Sequence, residues 1–136
     1  MKMRGKIGIR LIPKGDNSMS ILFLQYPPCS TCKRAKKWLD EHGIDYEARN
    51  IKEQNPTAEE LETWFHQSGL PLKKFFNTSG NIYKEQNLKD RLPAMSEQEQ
   101  ISLLATDGML VKRPIVVGDE GVLVGFKVEE WEERLN

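Results

Sequence analysis

The chain has 136 residues, 38% of them hydrophobic, and its 20 basic side chains balance 20 acidic ones to a formal charge of zero. That length suffices to bury one core, the charge leaves no electrostatic footprint for direct nucleic-acid binding by the body of the protein, and no run approaches the roughly eighteen continuous apolar residues of a membrane span. Two cysteines are too few for a disulfide scaffold and no secretory signal precedes them, so a reducing cytoplasm is the expected compartment.

The first segment, residues 1–18, holds Lys2, Arg4, Lys6, Arg10 and Lys14 against Asp16, a net of +4. It has neither strand nor helix period, so it is expected to be a disordered leader or tag, with a single domain over residues 19–136. Lys14-Gly15-Asp16 is what AAAGGAGAT would encode, which contains a bacterial ribosome-binding sequence just upstream of the Met19 codon. Met19 is therefore a candidate natural start; a vector-derived leader and a genuine flexible arm are the alternatives.

From Met19 the predicted elements alternate. Ile21 to Gln25 reads as a buried strand, and a helix from about Ser30 to His42 places Ala35, Trp38, Leu39 and His42 on one face. Gly43 is a natural stop. Ile44 to Ile51 reads as a second strand with Ile44, Tyr46 and Ala48 on one side, giving a strand, helix, strand unit.

A helical middle section opens at Pro56-Thr57, where Thr57 can cap and Glu60 stands at capping-box distance. Its inner stripe is Leu61, Trp64, Phe65 and Ser68. Gly69 and Pro71 separate it from an amphipathic stretch with Leu72, Phe75 and Phe76, and a turn-rich run follows over residues 77–81. A further helix starts at Ser96, with Glu99 three residues on and Ile101 and Leu104 inward.

The sheet resumes at Arg113-Pro114-Ile115-Val116-Val117-Gly118. Asp119-Glu120-Gly121 reads as a hairpin turn, Val122 to Val124 as its return strand, and Val128 to Leu135 as a closing helix with Val128, Trp131 and Leu135 on one side. Pro114 is tolerated at the first position of a strand.

The chemistry sits in Cys29-Ser30-Thr31-Cys32, between the first strand and the first helix. A strand ending in Pro27-Pro28 delivers Cys29 to the first turn of a helix, where unpaired N–H groups and the helix dipole favour a thiolate. Cys32 lies one turn along, within reach to form a disulfide. An ordinary thiol is only about 3% ionised at neutral pH, so a nearby cation would matter, and Arg113 is the candidate because a guanidinium stays charged. Cys29 is read as the attacking thiol and Cys32 as the resolving one. Lys33, Arg34, Lys36 and Lys37 read as a solvated face. A zinc site would need two ligands besides the cysteines, and His42 and His66 read as packing or surface residues.

The CxxC at the start of the first helix, the helical insertion, Arg113-Pro114-Ile115 and Val124-Gly125-Phe126 together resemble the arsenate reductase and Spx family of thioredoxin-like proteins. The resemblance implies an α/β, thioredoxin-like fold: a four-stranded mixed sheet with a helical insertion between a βαβ half and a C-terminal ββα half. It also implies a cis peptide before Pro114, with that proline facing the active thiol. For the reductases, it implies three arginines around the thiol. Arg113 matches one, Lys73 falls near another, and Phe126 stands at the third. Ser30, Thr31, Lys73 and Pro114 are accordingly the candidate substrate-binding residues.

Two activities follow from the resemblance. One is a thiol-disulfide oxidoreductase acting on arsenate, or on a protein or glutathione disulfide, with electrons from thioredoxin or from glutathione and glutaredoxin and no further cofactor, since the sulfurs carry the electrons. The other is a redox-switched transcriptional regulator that binds the RNA polymerase alpha subunit. The run Leu72 to Gly80 resembles the reductase branch, and the sequence ends at Asn136 without the basic tail the Spx branch implies, so the oxidoreductase is the expected function.

Overall fold

The computed structural model describes residues 21–118 and 121–135. β1 (Ile21–Gln25) is apolar from Ile21 to Leu24, as befits a strand covered on both faces. It pairs in parallel with β2 (Tyr46–Asn50) and antiparallel with β3 (Ile115–Gly118), which in turn pairs antiparallel with β4 (Gly121–Val124). The four-stranded mixed sheet has the order β2-β1-β3-β4.

Side chains alternate across a strand, and the core divides accordingly. Ile21, Phe23, Val116 and Leu123 pack with Ala35, Trp38 and Leu39 of α1 (Ser30–Glu41) and with Trp131 and Leu135 of α6 (Val128–Leu135). Leu24, Ile115 and Val122 pack with the insertion, through Leu61 and Trp64 of α2 (Ala58–Ser68), Leu72 and Phe75 of a 3-10 turn, and Ile101 and Leu104 of α5 (Glu97–Leu104). The sheet is thus sandwiched between α1 and α6 on one face and the insertion on the other. This is the thioredoxin-like arrangement that the resemblance implied.

Local signals decide most of the helix ends. Thr57 and Ser96 cap α2 and α5, each in a complete capping box with Glu60 and Glu99. α1 closes after His42 through Gly43 N–H to the Asp40 carbonyl and Ile44 N–H to that of Leu39. Arg49 of β2 fixes the start of α2: its guanidinium reaches both Glu60 carboxylate oxygens at 2.9 Å and donates to the carbonyls of Gln54 and Asn55.

Four features differ from the sequence reading. β2 is shorter than Ile44 to Ile51, because Ile44 is taken up in closing α1 and the chain turns after Asn50, with Gln54 N–H returning to its carbonyl. Ala48 is exposed because β2 is an edge strand. Two short helices, α3 (Asn81–Glu85) and α4 (Leu88–Arg91), occupy a stretch with no predicted element, each too short to show a periodic stripe. Val128 is 42% exposed at the start of α6, whose buried stripe is Trp131 and Leu135. His42 agrees with its reading as a packing or surface residue: it is exposed, its ring stacked on Trp38 with centroids 3.8 Å apart. The readings of residues 1–18 and of the Asp119-Glu120 turn lie outside the described residues. None of the described helices is long and apolar enough to cross a membrane.

Candidate active site

The backbone of Tyr26, one residue past β1, organises the cysteine pair. Its carbonyl accepts from Cys29 N–H at 2.9 Å, and its own N–H donates to Cys32 Sγ at 3.4 Å. Cys29 is the N-cap of α1, with extended backbone and no side-chain cap bond. It is half-buried, whereas Cys32, two residues into the helix proper, is buried, and both thiols are free. The Pro27-Pro28 approach therefore leaves the Cys29 thiol at the helix entrance and turns the Cys32 thiol inward.

The two environments drive the thiols apart. Burial pushes Cys29 up, but the N–H and thiol of Cys32, the N–H of Thr31 and the charge of Arg113 together outweigh it and hold Cys29 below its ordinary value. Burial dominates at Cys32, and the neighbouring Cys29 adds to it, so that thiol is pushed up to about 12. The thiolate is therefore more readily formed at Cys29 than at Cys32.

Arg113, just before β3, lies with its guanidinium 5.2 Å from the centroid of the Tyr26 ring, and its Nη1 donates to the Val111 carbonyl at 3.4 Å. Its Nε is buried without a hydrogen-bond partner, a desolvated donor left uncompensated beside the cysteine pair. The Arg113–Pro114 peptide is cis, as the resemblance implied. The Pro114 carbonyl accepts from Gly125 N–H at 2.8 Å, and the Gly125 carbonyl accepts from Trp131 Nε1 at 3.2 Å. Gly125 has φ +85°, a conformation that favours glycine. This turn sets Phe126 beside the site.

Cys29 opens into a groove of about 1090 Å³ walled by the insertion and by the residues after β4. Its lining charges are Arg34, Lys73, Lys74, Lys112, Arg113 and Lys127 against Glu130, so it favours anionic groups. Of the sequence-predicted residues, Cys29, Thr31, Lys73 and Arg113 line this groove. Cys32 lies beneath it in the core, Ser30 is exposed on the first turn of α1, and Pro114 is buried; these three are not among its lining residues. Lys33, Lys36 and Lys37 do share a solvated surface with Asp40 and Glu41. Arg34 is exposed as well, but on the groove side, with its guanidinium 5.7 Å from the Phe126 ring centroid.

Tyr26, Lys112 and Lys127 were missed by the sequence reading. Tyr26 was detectable in principle, because a residue between a strand and a Pro-Pro-Cys turn must lie against the helix start. The two lysines carry no local signal. Among the described residues no three His, Cys, Asp or Glu side chains are grouped to hold a metal ion.

The ArsC family profile matches residues 24–134. The Bacillus subtilis protein YusI is 56% identical over 116 residues, which span 85% of this chain and 98% of YusI. The global transcriptional regulator Spx of Staphylococcus epidermidis is 30% identical over 105 residues, 76% of this chain and 78% of Spx. A crystal structure of an ArsC family related protein from Bacteroides fragilis superposes with a TM-score of 0.83 at 63% identity, covering 86% of this chain and 98% of that one. An arsenate reductase from Vibrio cholerae superposes with a TM-score of 0.77 at 29% identity, covering 86% and 98%.

Proposed function

We propose, for a chain that belongs to the ArsC family, that its redox thiol function is thiol-disulfide exchange with Cys29 as nucleophile and Cys32 as resolving thiol. The observation that carries this reading is the split between the two thiols: Cys29 half-buried, open to a cationic groove and held below its ordinary pKa, Cys32 buried and pushed up to about 12. Only a thiolate attacks a disulfide or an oxyanion, so attack begins at Cys29. Its adduct is then displaced by Cys32, whose proton must leave as the Cys29–Cys32 disulfide forms. A thiol reductant, either the dithiol of thioredoxin or a pair of glutathione molecules acting with glutaredoxin, restores the two thiols.

Arg113 supports Cys29 as a thiolate and, lining the groove, presents a fixed positive charge to an anionic group of the substrate. Arsenate is one candidate substrate. Set against it, Lys73 lacks the forked donors of a guanidinium and Phe126 carries no charge, whereas a disulfide needs no cage of arginines. The test is electron consumption with arsenate, and separately with a disulfide, each coupled to thioredoxin and to glutathione with glutaredoxin. Turnover should require Cys29 and vanish in Cys29→Ser; equal turnover in that variant overturns the assignment.

A second reading is a redox-switched regulator that contacts the RNA polymerase alpha subunit, favoured by the 30% identity to the regulator Spx. It predicts no turnover with either donor, reversible formation of the Cys29–Cys32 disulfide, and alpha-subunit binding that depends on that disulfide.

A further inference from the structure

Six basic residues line the groove, but Arg34 is held differently from the lysines beside it in sequence. Lys36 and Lys37 face acidic side chains one turn on, with Nζ to Asp40 at 3.1 Å and to Glu41 at 3.9 Å. Among the described residues Arg34 has no such carboxylate partner. Its guanidinium rests 5.7 Å from the centroid of the Phe126 ring, and its Nη2 donates to Thr31 Oγ1 at 3.5 Å.

The platform under it is fixed. Phe126 meets the fully buried Trp131 edge-on, with centroids 4.7 Å apart, and Trp131 is in turn tied to the Gly125 carbonyl. A guanidinium held against a ring face keeps further N–H donors for an anion and has less rotamer freedom to lose on binding. Cys29 and Arg34 line the same groove from one helix, and its volume of about 1090 Å³ exceeds what a reacting sulfur alone would occupy.

We propose that Arg34, held over the Phe126 ring, selects disulfide substrates that carry a carboxylate close to the reacting sulfur. The inference rests on the exchange reading above. In the step concerned, the Cys29 thiolate attacks one sulfur of a disulfide, a Cys29–substrate S–S bond forms as the old S–S bond breaks, and the departing thiolate leaves with the electron pair. No oxidant or reductant is consumed. Arg34 pairs with the carboxylate on the half that becomes bound, and is a specificity residue for the attack.

The test compares two probe disulfides whose released thiols are chromophoric: dithiobis(nitrobenzoate), with a carboxylate on each half, and the uncharged dithiodipyridine. Rates of Cys29 labelling are measured by stopped flow at neutral pH and about 0.15 M ionic strength, where remote surface charges are screened. Their ratio is the readout, because a change in Cys29 ionisation multiplies both rates and cancels. Arg34→Ala should lower the anionic-to-neutral ratio by about tenfold, the scale of one charge-assisted hydrogen bond. Phe126→Leu, which keeps Arg34 but removes its platform, should lower the ratio by a smaller factor. Lys37→Ala, which removes a charge from the other surface, should leave it within about twofold. An unchanged ratio in Arg34→Ala, or an equal drop in Lys37→Ala, overturns the proposal. Failure of both probes to label Cys29 in the unaltered protein instead overturns the exchange reading beneath it.

Discussion

At Cys29 two opposing effects meet: burial favours the neutral thiol, and the donors of the first helical turn with Arg113 favour the thiolate. The donors prevail because N-terminal N–H groups have no partner within the helix. Arg113 contributes by charge, so its removal has a definite sign. Arg113→Ala takes away an influence that lowers the Cys29 pKa, so the pH profile of Cys29 alkylation should move to higher pH and the thiolate fraction at neutral pH should fall. A profile that does not move would remove Arg113 from the site. Cys32→Ser leaves the attacking thiol in place but no internal thiol to displace the adduct. Intact mass after exposure to a disulfide should show a persistent mixed disulfide on Cys29, released only by an added thiol; spontaneous release would contradict the resolving role of Cys32.

These residue positions were unevenly legible. The cysteine spacing, the strand before it and the helix after it are local in sequence, so Cys29 and Cys32 could be placed from the chain alone. Arg34 could not, because what distinguishes it from Lys33, Lys36 and Lys37 is a ring contributed by Phe126 from beyond β4.

At the scale of elements, the same rule separates what could be read from what could not. Thr57 with Glu60 and Ser96 with Glu99 announce α2 and α5, and both capping boxes are present in full. α3 and α4 are one turn each, below the length at which a stripe can appear, and owe their form to packing of Tyr83 and Leu88 into the core. Gly108 is another feature decided by tertiary packing. A side chain there would be driven into the Ile51 carbonyl, which joins the stretch after β2 to the end of the insertion. Gly108→Ala should therefore cost about 1–3 kcal/mol, as overpacking at an unyielding site does, measured by urea denaturation. A loss below a few tenths of a kcal/mol would show that this junction yields.

For the whole molecule, one residue links the core to the groove. Trp131 is fully buried, meets Trp38 of α1 edge-on at 5.6 Å, supports Phe126 and binds the Gly125 carbonyl. The face of the sheet that carries α1 is thereby coupled to the wall facing Cys29. Trp131→Ala should cost about 3–5 kcal/mol, a large share of the roughly 5–15 kcal/mol that holds a domain folded, and thermal unfolding should report it; stability within about 1 kcal/mol of the unaltered protein would contradict the coupling. The order of patterns gave the strand-helix-strand unit, the helical insertion and the closing hairpin and helix, and the family resemblance implied the four-stranded sheet that joins them; the cationic groove was not readable, because its walls come from four separate stretches of chain.

The claim on which the rest depends is that the two thiols differ in kind. Alkylation of the reduced protein with iodoacetamide across pH, quantified separately for each cysteine by peptide mass mapping, tests it directly. Cys29 should be modified with a midpoint below that of an ordinary free thiol, and Cys32 should stay unmodified until far more alkaline pH. Equal profiles, or Cys32 reacting first, would contradict the account.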